Sequence, residues 1–381
     1  MYQTKNDIKQ DSTTNYQKLI FTVASIFSSL LISFTCFAFT QPTFSGGATA
    51  TFQSSNDTRI KNEHTISVDL ILNWKVGNGE LYTYIEANSS PKNNGVSSVL
   101  PEANADAGSS LDQDRTGRVQ ISEFAYRLFI KDSQTLTLGL LDVTAYFDQS
   151  RIASDENSQF LGVSFVQNPT IEFPDYTLGV VYENNLSQQT ILRAALTSSN
   201  GIADNPNVSY SQLVDVTDKD KGAFTILSLS HKTEKWLFRG GIWSHTEAHG
   251  SLDENRLNEK NYGAYFLSGY REKNHGVNLR IGQANEAVSL AHRFFGLSYQ
   301  YNKTPFVFGA GAAKIFFSDN VPSGTWANTY HFEAYLRYQI SHKLFITADI
   351  QQLINSNLSS SNTLRNHRQN LLGLRFTYLI E

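Results

Sequence analysis

The sequence predicts an all-β chain: a single transmembrane antiparallel β-barrel of about sixteen strands. Its turns at the periplasmic end are short, its outer loops are long, and its third loop is folded into the lumen. Three observations carry that prediction. Segments of about ten residues alternate apolar and polar side chains at period two, and a tilted strand of that length crosses hydrocarbon. The connections between those segments alternate short and long. Beyond residue 40 no apolar run is long enough to cross a membrane as a helix, so any crossing is made by strands.

Residues 1–38 read as an export signal. Lys5, Lys9 and Lys18 precede the apolar run "LIFTVASIFSSLLISFTCFAF", and "CFA" ending at Ala38 is the expected cleavage site. Residues 39–381 then form one domain. The only cysteine is Cys36, so the processed chain is expected to use neither disulfides nor thiol chemistry.

Strands are expected to start near residues 45, 64, 80, 118, 134, 176, 188, 222, 235, 261, 274, 291, 305, 328, 342 and 367. "KVGNG", "KDSQ", "NNLSQ", "KTE", "EKN", "NKT" and "SH" are the short turns. The connections between them are mostly long, at about 88–117, 143–175, 199–220, 247–260, 317–327 and 354–366. Both chain ends fall on the short-turn side, as in outer-membrane barrels, whereas a sandwich or propeller has no reason to sort its loops this way. The alternation is clearest late in the chain. "NTYHFEAYLRYQI" sets Tyr330, Phe332, Leu336 and Tyr338 against His331, Glu333 and Arg337, and "HKLFITADIQQ" sets Leu344, Ile346 and Ile350 against Thr347, Asp349 and Gln351. "GVNLRIGQ" sets Val277, Leu279 and Ile281 against Asn278, Arg280 and Gln283. The last strand, "LLGLRFTYLIE" with Phe376 and Tyr378 two apart, resembles the closing-strand signal read by outer-membrane assembly machinery.

About sixteen strands enclose an aqueous lumen, which about eight would fill with side chains. Asp69, Asn73, Glu123, Arg127, Arg239, Arg280, Glu333, Arg337, Asp349 and Arg375 are the expected lining, each read first as a solvated wall charge. Their mixed signs suit a neutral, hydroxyl-rich solute, because carboxylates accept and guanidiniums donate hydrogen bonds with neither sign dominating. The third outer loop, Thr144–Tyr176, is too long for an ordinary connection and too aromatic for disorder. With Pro169 and Pro174 to stiffen it, it is expected to fold inward and narrow the lumen. Its aromatics could stack on sugar rings and its charged residues could bind hydroxyls, although each single Phe is better read as pinning the loop to the wall.

The stretch "GLLDVTAYFDQSRIASDENSQFLGVSFVQNPTIEFPDYTLGV" resembles the OprB-type carbohydrate-selective porins. In that family a Phe-Asp, an Asp-Glu, a Gln-Phe-Leu, a Phe and an Asn-Pro recur in this order. They correspond here to Phe147–Asp148, Asp155–Glu156, Gln159–Leu161, Phe165 and Asn168–Pro169. "GGATATFQ" and "VQISEFAYRLFI" look like that family's first strand and the strand before the motif. The resemblance implies an outer-membrane channel of a Gram-negative bacterium passing glucose-like sugars, surrounded by outer-membrane lipid and lipopolysaccharide, and allows a homo-oligomer. Tyr146, Phe147, Asp148, Arg151, Asp155, Glu156, Gln159 and Asn168 are then the candidate solute contacts.

Other chemistry is not expected. With 31 basic against 35 acidic residues and no basic block, nucleic acid is not an expected partner. No GxSxG elbow or P-loop occurs, so the expectation is a channel without enzymatic step or cofactor. His245, Glu247 and His249 in "WSHTEAHG" lack HExxH spacing and read as an exposed outer loop without metal. "DQDRTG" and "DVTDKDKG" lack the EF-hand pattern and read as solvated loops.

Overall fold

The structure, a computed structural model, describes residues 41–107, 117–202, 210–214, 216, 221–253, 259–321, 327–356 and 367–380. The export signal and most of "DQDRTG" and "DVTDKDKG" lie outside the described residues.

Sixteen strands form one closed antiparallel barrel in which every strand pairs with its sequence neighbours and β1 closes on β16. They are β1 Thr43–Ser55, β2 Glu63–Val76, β3 Gly79–Asn88, β4 Arg118–Lys131, β5 Gln134–Leu141, β6 Thr177–Asn185, β7 Thr190–Ser198 and β8 Ala223–Lys232. The second half comprises β9 Trp236–His245, β10 Tyr262–Glu272, β11 His275–Ala284, β12 Ala291–Lys303, β13 Phe306–Phe317, β14 Thr329–Gln339, β15 Leu344–Ile354 and β16 Arg368–Ile380. Closure removes the open strand edge, which hydrocarbon cannot satisfy, and pairs Ala48 with Tyr378 and Ala50 with Phe376.

The alternation is inverted relative to a soluble protein. On β14, Phe332, Leu336 and Tyr338 face out, while His331, Glu333 and Tyr335 face in and are buried. The same holds around the ring: Ile66, Leu70, Leu138, Leu196, Leu229, Ile242, Leu297 and Ile350 make an apolar outer belt. At the short-turn end Trp236 stacks on Phe238 at 5.4 Å and Phe306 meets Tyr338 at 5.1 Å, the aromatic girdle of a membrane-spanning barrel. Phe376 and Tyr378 of the closing strand also face out. On β11 the inward set continues Asn278, Arg280, Gly282, so Gln283 points outward, contrary to its expected place on the polar face. Period two runs unbroken through a glycine, and a polar residue at the strand's last turn is tolerated outside.

All the long connections emerge at one end. Two connections at that end, 56–62 and 285–290, are much shorter than the others there. Two of the long loops fold back into the lumen. The second loop carries helix α1, Val96–Val99, and a 3-10 turn, Pro101–Ala103. Val96, Val99, Leu100 and Ala103 bury against Ile60, Leu353 and Leu371. The third loop carries α2, Thr144–Phe147, and α3, Val163–Val166.

Candidate functional site: the third loop across the lumen

An in-folded loop carries backbone N–H and C=O groups away from bulk water, and each needs a partner. Charged residues of the wall supply them. Arg280 of β11 donates to the carbonyls of Asp148 (2.9 Å), Phe165 (2.5 Å) and Val166 (3.0 Å), to Ser154 Oγ (2.6 Å) and to Asp148 Oδ1 (3.0 Å). Every donor nitrogen of that guanidinium is engaged, which a lysine could not reproduce. From β16, Arg375 donates to the carbonyls of Glu156 and Gln159, and Thr377 to that of Asn157 at 3.0 Å. Glu333 of β14 does the converse, accepting the N–H groups of Leu161 (2.7 Å) and Gly162 (2.8 Å).

Apolar packing completes the anchorage. Phe160 and Phe165 lie 4.9 Å apart, with Phe160 edge-on to Tyr335 at 5.0 Å and Phe165 5.0 Å from His331. Gly311 of β13 makes room for both rings, since a Cβ there would fall 2.6 Å from Phe165. Phe147 packs with Leu141, Val143, Ile171, Phe224 and Trp243 in the largest buried cluster.

These contacts correct several expectations. Arg280, Arg375, Glu333, Asp349, Glu123 and Arg239 are not solvated wall charges; all six are buried. Phe147 is fully buried and Asn168 is 1 % exposed, so neither can touch a solute. Asn168 bonds the Ile281 carbonyl and caps its own turn at Thr170. Gln159 bonds Ser154 N–H and the Arg151 carbonyl, and Asp155 accepts the N–H groups of Asn157 and Ser158. Both hold the loop's shape, because a loop without regular structure must satisfy its backbone from its own side chains. Asp148, 2% exposed, accepts from Arg280 and from Asn168 N–H, so its carboxylate anchors the loop and is not a solute contact.

The remaining lining candidates also lie on the inner wall. Asp69 accepts from Tyr84 and from Asn157 of the loop, Glu123 accepts Asp142 N–H at 2.9 Å, and Arg127 pairs with Glu80 at 3.2 Å. Arg239 bonds Ser230 Oγ at 2.9 Å and the Gln149 carbonyl at 3.4 Å, and Arg337 lies over the Phe345 ring. Tyr146 is half-buried against the loop's main cluster.

Two cavities lined by charged residues flank the loop. The one towards the long-loop end, about 670 Å³, is lined by Glu86, Asp142, Asp148, Glu156 and Asp175, with Arg118, Tyr84, Phe173 and Tyr176. The one towards the short turns, about 340 Å³, is lined by Arg151, Arg193, Lys232, Lys235, Arg239 and Arg271, with Glu234. Gln149, just after α2, lines both. The signs are therefore mixed overall but sorted along the lumen, with carboxylates on one side and cations on the other. Of the candidate solute contacts, Arg151 lines the second cavity and Glu156 the first. Sequence reasoning missed Gln149, Asp142 and Glu86. It also missed the whole second loop, whose Ala105 N–H reaches the Leu161 carbonyl at 2.8 Å. The apolar spacing Val96, Val99, Leu100 before Pro101 was the available signal.

No family model matches the chain. An uncharacterized protein of Aquifex aeolicus (strain VF5) is 32% identical over 151 residues, which is 38% of this chain and 47% of that protein, so the chain spans about half of that relative's length. Among solved structures, OprB of Pseudomonas putida at high pH superposes with a TM-score of 0.71 at 11% identity, over 89% of this chain and 94% of that one. The trimer form of OmpT from Vibrio cholerae gives 0.54 at 11% identity over 90% and 100%. A mutant of the Rh. blastica porin gives 0.53 at 12% identity over 89% and 100%. At these identities the likeness is one of fold, the sixteen-stranded porin barrel.

Proposed function

We propose that the protein is an outer-membrane porin of a Gram-negative bacterium, passing small neutral solutes, carbohydrates foremost, by facilitated diffusion without a chemical step. The observation that carries this reading is the pair of charge-lined cavities on either side of the third loop, which Arg280, Arg375, Glu333 and Arg239 of the wall hold in place. A closed barrel with an apolar outer belt and a wet, partitioned interior is a construction for passage. Tyr84, Phe173 and Tyr176 beside Glu86, Asp142 and Gln149 offer a sugar both an aromatic face and hydroxyl partners. Association into a homo-oligomer belongs to the same reading, as in the trimer form of OmpT.

A second reading, a porin for general small solutes or amino acids, is favoured by one feature. Opposite charges are sorted to the two cavities, and Phe147, Phe160 and Phe165 are too deeply buried to stack on sugar. Liposome swelling with glucose, arabinose, glycine and succinate at matched osmolarity separates the two. Sugars entering faster than their size predicts supports the first; rates set by size alone leave only the second.

A further inference from the structure

The "WSHTEAHG" segment does not form an exposed loop. His245 ends β9 with its side chain 1% exposed, and the third loop brings Glu172 to meet it. His249 Nε2 lies 3.1 Å from Glu172 Oε2 and 3.5 Å from Glu247 Oε1, and His245 Nδ1 lies 3.6 Å from Glu247 Oε1. One donor atom from each of Glu172, Glu247 and His249 falls within 4.8 Å of the others. Tetrahedral coordination with bonds of about 2.0–2.2 Å sets neighbouring donors about 3.3–3.6 Å apart, close to this spacing.

A second observation points the same way. His245 Nε2 faces the Glu172 carbonyl at 2.7 Å and so carries the proton. The other ring nitrogen, Nδ1, is buried, without a hydrogen-bond partner and directed at Glu247. A ligating imidazole fixed through its other nitrogen by a backbone carbonyl is the usual outer-shell arrangement of a metal site. Asn261 Nδ2 holds Glu172 Oε2 at 2.5 Å, which orients that carboxylate in turn.

We propose that Glu172, Glu247 and His249, with the buried His245 Nδ1 behind them, form a binding site for a divalent transition ion such as Zn²⁺, joining the third loop to the loop after β9. The His249 imidazole beside two carboxylates favours borderline ions over Ca²⁺ and Mg²⁺, which prefer oxygen alone. Glu172 is 46% exposed in its side chain, so the site opens to water from the long-loop end.

The test is calorimetric titration of the folded, untagged, full-length barrel in detergent with Zn²⁺ alone, then with Ca²⁺. Saturable binding of one Zn²⁺ per chain is expected, weakened at least tenfold in Glu172→Gln and in His249→Gln, with Ca²⁺ much weaker. Because a substitution could loosen the loops, Co²⁺ is added to the unsubstituted protein as well; intense visible ligand-field bands, abolished by Zn²⁺, are expected for a tetrahedral nitrogen–oxygen site. No saturable Zn²⁺ binding, binding unchanged in both variants, or Ca²⁺ preferred over Zn²⁺ would each overturn the proposal and leave an ion-pair cluster only.

Discussion

Arg280 shows what single residues do here. Its position on the polar face of "GVNLRIGQ" is legible from alternation, but alternation tells which face a side chain takes and not what covers it. Once the third loop lies over it, the guanidinium satisfies loop carbonyls and Asp148 together, at 1% exposure. Replacing it with methionine strands a buried carboxylate and several carbonyls, a loss of about 3–5 kcal/mol in loop docking. The strand ladder does not use its side chain, so the barrel still closes. We expect Arg280→Met to assemble normally, show faster proteolysis within 150–165, and recover part of its protection when Asp148→Asn is added. Wild-type protection in Arg280→Met would refute this anchoring role. Gly311→Val is expected to expel the Phe160–Phe165 pair in the same way, seen as higher channel conductance, because a branched side chain occupies their place. Glycines of this kind could not be told from turn glycines in the sequence; only the loop's position assigns them a purpose.

The elements themselves were legible. All sixteen strands start within two residues of the positions that period two and the turn signals predict. Strand existence rests on local pattern, so a single sequence carries it. The second loop was not legible as an in-folded element, because its burial depends on a wall built from β15 and β16, far away in the chain. Asp106 in that loop is buried among Asp69 and Glu86, which pushes its carboxyl up to about 8. Its folded value is raised, so its contribution to docking is fully present below the ordinary carboxylate range, near pH 4. That contribution is lost as pH rises through about 8. Channel conductance is therefore expected to increase between pH 5 and pH 9 as the second loop loosens, and to lose that dependence in Asp106→Asn. Conductance that falls over this interval, or a slope untouched by the substitution, would contradict it.

At the scale of the whole molecule, closure, inverted polarity and two in-folded loops make a barrel divided into an acidic and a basic half. Charge sorted along an axis makes ion flow depend on direction wherever the Debye length, about 10 Å at 0.1 M salt, is comparable to the bore. The current–voltage curve is expected to rectify at 0.1 M salt and to become linear near 1 M, where the charges are screened; a linear curve at both would mean that the cavities do not share one ion path. The central claim is that the lumen conducts and that the third loop is its constriction. Single-channel recording in planar bilayers, comparing the full chain with a chain lacking residues 150–165, tests it most directly. We expect discrete conductance steps from the full chain and distinctly larger steps from the shortened one. Absence of steps from a folded barrel, or equal steps from the two, would contradict the account.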